Sequence, residues 1–487
     1  MATISLVKRL AAIPFRRVQG HDIPLCFLAE ILSGGIRMID MSAQFKHLNP
    51  NSAGIDIGSE SHFVAIPEGR DAANVREFSC FTEDLNRLAD WLVQCGITTV
   101  AMESTGVYWI PIFEILESRG LEVKLVNARH VKNVPGRKTD VKDCQWLQQL
   151  HSYGLLDGAF RPEDQICVLR AFLRQRTTLV QYAGAHVQHM QKALTQMNLL
   201  LHNVVSDITG VTGMKIILAM LAGERNPDKL ASLRNCRCNN SEAIIAKSLV
   251  GNYRKEHLFS LRQAVELFQF YQGKITECDR EIEQLLGQFD AKTVASAPVK
   301  KKSKPRKGEP DFDVAGQLFR MTGVNLLRID GISSLTALHV IAEIGVDMNR
   351  WPSSKHFASW LGLCPGNKIS GGKRLSGKTR LCANKAATAL RMAAQSLYHA
   401  KCALGAYYRR QRARLGAPKA ITATAHKLAK LIYNMLKYGK EYVDAGQDYY
   451  EKRYQAKVIQ SLRKRARDLG FELIENTSKN NTLHVVT

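Results

Sequence analysis

The sequence predicts an α/β fold for its first part and a mostly helical structure for the rest. Three short apolar segments at hairpin spacing open residues 53–160, and helices then alternate with two further strands. TIM barrels and Rossmann folds both lack an opening meander of three strands. From about residue 165, long segments with few helix breakers replace this alternation. The element order of the first part is that of an RNase H-like fold.

Each predicted element has its own signal. Leu85, Leu88 and Leu92 lie on one side of an amphipathic helix. Thr139 is a predicted N-cap, with an apolar stripe in the helix behind it. The strands are predicted at 53–57, 62–67, 75–80, 98–102 and 122–126, and the helices at 83–95, 107–119 and 139–153.

Two long helices are predicted at 169–201 and 258–289, with a compact insert between them at about 207–250. Their apolar residues recur at close to heptad spacing, which favours an antiparallel or intermolecular coiled coil. An ordinary helical bundle fits the same pattern.

The composition suggests six segments. Met41 is an alternative start for the chain, because the ordered pattern begins about a dozen residues after it. The segments are a disordered extension (1–48), an RNase H-like domain (49–160), a helical coiled-coil domain (161–290), a basic linker (291–312), a mostly α-helical C-terminal domain (313–445) and a charged tail (446–487).

A weak internal repeat aligns residues 208–214 with residues 329–335, each before an apolar helix. The pattern is that of a helix-hairpin-helix-like element, which binds phosphate through turn amides and a helix N-terminus. The second copy, with Gly331 in its turn, fits better. A glycine-containing turn without a ligand is the alternative, above all for the first copy.

The net charge of +24 is concentrated in the second part of the chain. Residues 300–487 contain 35 Lys and Arg against 13 Asp and Glu, and residues 348–440 contain 19 basic residues and no acidic one. A stretch with one sign of charge indicates a polyanionic partner. Nucleic acid is the first candidate and anionic lipid the second.

The cellular setting follows from the cysteines and the hydropathy. The eleven cysteines include no C-x-x-C pair, which is typical of reduced thiols in the cytoplasm and does not favour zinc. No apolar run reaches about 18 residues, so no membrane partner is expected.

Four acidic residues form the first candidate site. Asp140 and Asp143 lie on one face of a predicted helix. Asp56 ends the first strand and Glu103 ends the fourth, and these strands are neighbours in an RNase H-like sheet. Converging carboxylates repel one another unless cations compensate them, so the set predicts Mg²⁺ or Mn²⁺ and phosphodiester chemistry.

Each piece of this site also has a simpler interpretation. Asp140 and Asp143 would suit any helix start. Asp56-Ile57-Gly58 also resembles the phosphate loop of actin-like ATPases and sugar kinases. Those folds require a second glycine-rich loop and an adenosine motif, and we find neither downstream.

The second candidate site is a glycine-rich basic loop around Ser370. Gly371 and Gly372 follow the serine and would allow a phosphate to approach closely. The loop fits either a serine nucleophile or a plain phosphate-binding loop, and Ser376 is the competing serine. The nucleic-acid-binding residues predicted here and nearby are Gly331, Gly371, Gly372, Lys373, Arg374, Lys378, Arg380 and Arg391.

Taken in order, these motifs resemble the DEDD-type insertion-sequence transposases of the IS110 family. The resemblance extends over about residues 50–445. It is carried by Asp56-Ile57-Gly58, Glu103-Ser104-Thr105-Gly106, Lys138-Thr139-Asp140-Val141-Lys142-Asp143, Ile329-Asp330-Gly331-Ile332 and the run from Pro365 to Lys373.

The resemblance implies a RuvC-like domain, a coiled coil and a C-terminal transposase domain. It implies a DNA recombinase that is guided by a non-coding RNA and acts on donor and target DNA, as a dimer or tetramer in the nucleoid. The implied metal ligands are Asp56, Glu103, Asp140 and Asp143, and the implied nucleophile is Ser370. A Holliday-junction-type endonuclease without a covalent intermediate is the alternative.

Overall fold

The computed structural model describes residues 47–104, 106–126, 139–293, 308–382 and 384–474. They belong to two compact units, which divide between Phe160 and Arg161. Nearly all of the predicted N-terminal extension and most of the predicted basic linker lie outside the described residues.

The first unit is built on a mixed five-stranded sheet of order β3-β2-β1-β4-β5. The pairs β1–β2 and β2–β3 are antiparallel, and β1–β4 and β4–β5 are parallel. This topology is compatible with the predicted RNase H-like fold. Its elements are β1 (Ser52–Ile57), β2 (Ser61–Ala65), β3 (Val75–Ser79), α1 (Thr82–Gln94), β4 (Thr99–Glu103), α2 (Trp109–Ser118), β5 (Glu122–Val126) and α3 (Asp140–Ser152).

Helices cover both faces of this sheet, and nearly every residue of its central strands β1 and β4 is buried. Ile55 and Ile57 of β1 pack with Leu88 of α1 and Ile112 of α2 in one core cluster. A smaller cluster lies on the opposite face and contains Ala101, Val126, Leu147 and Leu156. Side chains alternate along a strand, so Gly54 and Asp56 face α3 while Ile55 and Ile57 face α1 and α2.

The second unit contains two long helices, α4 (Asp164–Gln196) and α9 (Lys255–Gln288). They pack side by side in an antiparallel arrangement, with Arg176 against Asp279 and His186 stacked on Tyr271. The described helices thus pair within one chain. The coiled-coil geometry stays a prediction.

Four short helices form the insert between α4 and α9 and share one core with the adjoining ends of both. Gly210 is the N-cap residue of the second of them, and this is the glycine of the first repeat copy. The helices are α5 (Leu201–Val204), α6 (Val211–Leu221), α7 (Pro227–Ser232) and α8 (Glu242–Ser248).

The described residues from 308 onward are mostly helical and include a two-stranded hairpin. Tyr433 is buried and donates a hydrogen bond of 2.8 Å to the Trp351 carbonyl oxygen. The elements are α10 (Val314–Thr322), α11 (Ser334–Ile344), α12 (Ser354–Trp360), β6 (Lys368–Ser370), β7 (Lys373–Ser376), α13 (Lys385–Ser396), α14 (Ala403–Leu415), α15 (Ala417–Tyr438) and α16 (Gln447–Asp468), with 3₁₀ turns at Leu326–Arg328 and Leu397–His399.

Among the described residues, no helix combines the length and the apolar character that crossing a membrane would require.

Candidate active site

Two carboxylates of the first unit end neighbouring parallel strands. Ile55 of β1 pairs in register with Met102 of β4, so the following residues, Asp56 and Glu103, lie side by side at the C-terminal edge. Both side chains are half-buried. Each is two residues beyond a position that faces α3, namely Gly54 and Ala101, so both carboxylates belong to the α3 face.

Helix α3 reaches these strands because Gly54 has no side chain. A Cβ atom built at Gly54 would lie 2.9 Å from Cα of Gln148, and nearer still to the Gln148 nitrogen and the Cys144 carbonyl oxygen. The backbone of α3 therefore rests directly on β1. Sequence reasoning missed this role, although a glycine inside a strand often marks a close backbone approach.

The close packing places the first turn of α3, with Asp140 and Asp143, at the end of β1. The pKa of Asp56 shows that these charges act on one another. The pKa of Asp56 is raised from 3.8 to about 6, first by burial and then by the negative charges of Asp140, Asp143 and Glu103. The structure thus brings the four predicted carboxylates of one chain into a single electrostatic cluster.

Thr139 occupies the N-cap position of α3, as predicted. Its carbonyl oxygen accepts hydrogen bonds from the Lys142 and Asp143 amides at 3.0 and 3.1 Å. Its side chain makes no capping hydrogen bond. The negative charges of Asp140 and Asp143 in the first turn are the groups that favour this helix end.

Ser370 lies in the second unit, on the exposed hairpin of β6 and β7. It pairs with Lys373 across a two-residue turn formed by Gly371 and Gly372. Both glycines have positive φ, 55° and 73°, which is the requirement of a type I′ turn. Sequence reasoning predicted the tight turn and missed the strands, which are short and expose Ile369 and Leu375.

The predicted basic residues near this hairpin have different surroundings. The Arg374 side chain folds against Gly377, where a Cβ atom would collide with it. Arg380 donates a hydrogen bond of 3.0 Å to the Trp360 carbonyl oxygen, so part of its guanidinium supports the fold. Lys373 and Lys378 are exposed, and Arg391 of α13 is half-buried.

Gly331 has a packing role of its own. Its φ is +86°, and a Cβ atom there would lie 2.9 Å from the Ala393 carbonyl oxygen and 3.0 Å from Leu397. The turn before α11 is thus pressed against the end of α13. Phosphate binding by this helix-hairpin-helix-like turn stays a prediction.

Comparison with protein families assigns both units to the same kind of enzyme. A family model described as a transposase of the DEDD type matches residues 53–199, which contain the four carboxylates. A second model, described as the transposase IS116/IS110/IS902 family, matches residues 324–409, which contain Ser370. No curated protein sequence matches the chain.

The α/β unit with its acidic edge and the two matches define the chain as a transposase, an enzyme that processes DNA. It belongs to the IS110 family of insertion-sequence transposases.

Proposed function

We propose that the chain is a metal-dependent DNA recombinase that cuts and joins strands through a serine nucleophile. The observation that supports this most is the cluster of four carboxylates around Asp56. Burial and three neighbouring negative charges hold the pKa of Asp56 near 6. Such a cluster is unfavourable for folding by itself, which is typical of a functional site.

The ligand set fits Mg²⁺ or Mn²⁺. Asp56, Glu103, Asp140 and Asp143 offer only carboxylate oxygens, which hard divalent cations prefer. A bound cation would compensate the repulsion that raises the pKa of Asp56 and would polarise a phosphate oxygen. The buried Cys144 thiol lies beside the cluster, and burial raises its pKa to about 12, so it stays protonated and offers no thiolate ligand.

The proposed covalent step uses Ser370. Its Oγ attacks a phosphodiester phosphorus and gives up its proton, forming an Oγ–P bond. The bond between phosphorus and one deoxyribose oxygen breaks, and that oxygen takes up a proton to become a free hydroxyl. Attack by a second strand's hydroxyl on the serine-linked phosphorus reverses these changes and joins the strands. The exposed turn leaves Ser370 accessible to a DNA backbone.

Two further parts of the proposal rest on the family. We propose that a non-coding RNA guides the enzyme to donor and target DNA. We also propose that the carboxylates of one chain act with Ser370 of another, in a dimer or tetramer. The absence of acidic residues from the sequence between residues 348 and 440 supports this, because Ser370 has no general base near it in sequence.

A pair of variants tests the acidic site. We expect Asp140→Asn to abolish cleavage of the element's end DNA while the protein still binds that DNA. Glu114→Gln, a carboxylate on the exposed side of α2, is the matched control and should keep wild-type cleavage. Cleavage by Asp140→Asn in the presence of a chelator would refute the metal site.

The alternative is hydrolysis by the same carboxylates, as in a Holliday-junction-type endonuclease, with Ser370 only binding phosphate. The observation that favours it is that the four carboxylates lie together in the first unit. Hydrolysis would release free ends without a protein–DNA adduct. Ser370→Ala would then retain cleavage at a reduced rate.

A further inference from the structure

The C-terminal helix α16 lies outside both matched family ranges and has an unusual attachment. Within the described residues, α16 buries no side chain. It is held through its first two turns, where the Arg410 guanidinium of α14 lies 3.4 Å from the ring centroid of Tyr454 and 4.9 Å from that of Tyr450. Arg409 adds a hydrogen bond of 2.8 Å to Gln447. Stacked cations and rings therefore fix the start of α16.

Beyond Tyr454 the helix is exposed and basic. Residues 455–468 extend about 21 Å at 1.5 Å per residue. They carry one carboxylate, Asp468, and five exposed cations. The described structure shows no ion pair or side-chain hydrogen bond for any of these cations, which are Lys457, Arg463, Lys464, Arg465 and Arg467.

We propose that this segment, residues 455–468, is a DNA-binding arm that enters the major groove of B-form DNA. Its cations are unpaired within the described structure, so a phosphate backbone is the complementary partner. A helix with side chains is about 10–12 Å across, and the major groove of B-DNA is about 12 Å wide. The major groove of A-form RNA is too deep and narrow for a helix, which favours DNA over an RNA duplex.

The anchor gives the arm its direction. Tyr454, Val458 and Leu462 are spaced by four residues and share one side of α16, and Tyr454 is the ring held by Arg410. Val458 and Leu462 continue the side of the helix that holds the anchor, and Arg465 follows Leu462 by three residues on that side. Arg463, Lys464 and Arg467 project away from it. Association of two chains through Val458 and Leu462 is the competing outcome of the test.

The test measures the salt dependence of binding to a fluorescent 30-base-pair DNA duplex, using the full chain. The arm variant replaces Arg463, Lys464, Arg465 and Arg467 with Gln, which keeps helix propensity. The control replaces four exposed cations of the insert region, Lys229, Arg237, Lys247 and Lys255, with Gln. The slope of log K against log salt is negative, and each lost phosphate contact reduces its magnitude by about 0.9.

For the arm variant we expect a slope reduction of about 1.8 to 3.6, which corresponds to two to four contacts, and a reduction below about 0.9 for the control. Equal reductions in both variants would overturn the proposal. The proposal would also be overturned if the arm variant lost binding to an A-form RNA duplex as much as to DNA. An unchanged slope together with a changed oligomeric mass of the arm variant would overturn it as well. The measurement involves no strand cleavage, so its outcome is independent of whether Ser370 is the nucleophile.

Discussion

Gly54→Ala is the most specific perturbation of the candidate active site. The new methyl group would lie 2.9 Å from Cα of Gln148, and ordinary contact begins near 3.4 Å. Helix α3 must therefore retreat from β1 by at least about 0.5 Å, and further to clear the two nearer backbone atoms. Overpacking of this kind costs about 1–3 kcal/mol of unfolding free energy.

The effect on activity should exceed the effect on stability. The retreat moves Asp140 and Asp143 away from Asp56 and Glu103, and a displacement of about 1 Å at a catalytic group can cost about 100-fold in rate. We expect the rate of DNA cleavage to fall by about 10- to 100-fold. Urea unfolding checks that the variant is folded under the conditions of the cleavage assay.

Gly184→Ala provides the matched control, because a Cβ atom there meets nothing within 4 Å. Gly184 is inside α4, where alanine favours the helix by up to about 1 kcal/mol. This control should keep wild-type cleavage and gain slight stability. Wild-type cleavage by Gly54→Ala would refute the conclusion that close packing of α3 positions the acidic cluster.

Three further predictions concern charge. In metal-free protein, the pKa of Asp56 is about 6 in the folded state and 3.8 in the unfolded state, so the free energy of unfolding falls as pH rises from about 4 to about 6. Asp56→Asn should abolish that fall. In urea unfolding at pH 7 the variant should be more stable than the metal-free wild type by at most about 3 kcal/mol, and by less where water screens the carboxylate. Asp279→Asn leaves the buried Arg176 without its ion pair and should lower the free energy of unfolding in urea by about 3–5 kcal/mol. Glu277→Gln, in the exposed pair with Lys274, is the control and should cost less than about 1 kcal/mol. Similar losses in both variants would contradict this prediction. Arg410→Gln, which removes the cation between Tyr450 and Tyr454, should reduce the salt slope of DNA binding less than the arm variant does, because the arm cations remain.

Much of the α/β unit was predictable because its signals are local. Strand β5 (Glu122–Val126) has the predicted boundaries, and α3 begins one residue after its predicted N-cap. The acidic set could be predicted because Asp56 and Glu103 end strands that neighbour each other in the expected topology. Their common electrostatic environment is a property of the folded chain.

Features that depend on contacts between distant segments were not predictable. Helix α4 begins at Asp164, five residues before the apolar periodicity that starts at Leu169, and Ile166 is the one fully buried residue of its first turn. The hairpin strands β6 and β7 are exposed and three or four residues long, so they lack an alternating pattern. The contact between Arg410 and Tyr454 joins residues of two helices with no local signal for pairing.

The covalent intermediate tests the central claim most directly. Wild-type protein would be incubated with end DNA and Mg²⁺, denatured, digested and mapped by mass spectrometry. The proposal predicts a nucleotide linked to Ser370, no adduct in Ser370→Ala or Asp140→Asn, and an adduct at the same site in Ser376→Ala. Cleaved DNA with free ends and no adduct, or a nucleotide linked to Ser376, would contradict the proposed role of Ser370.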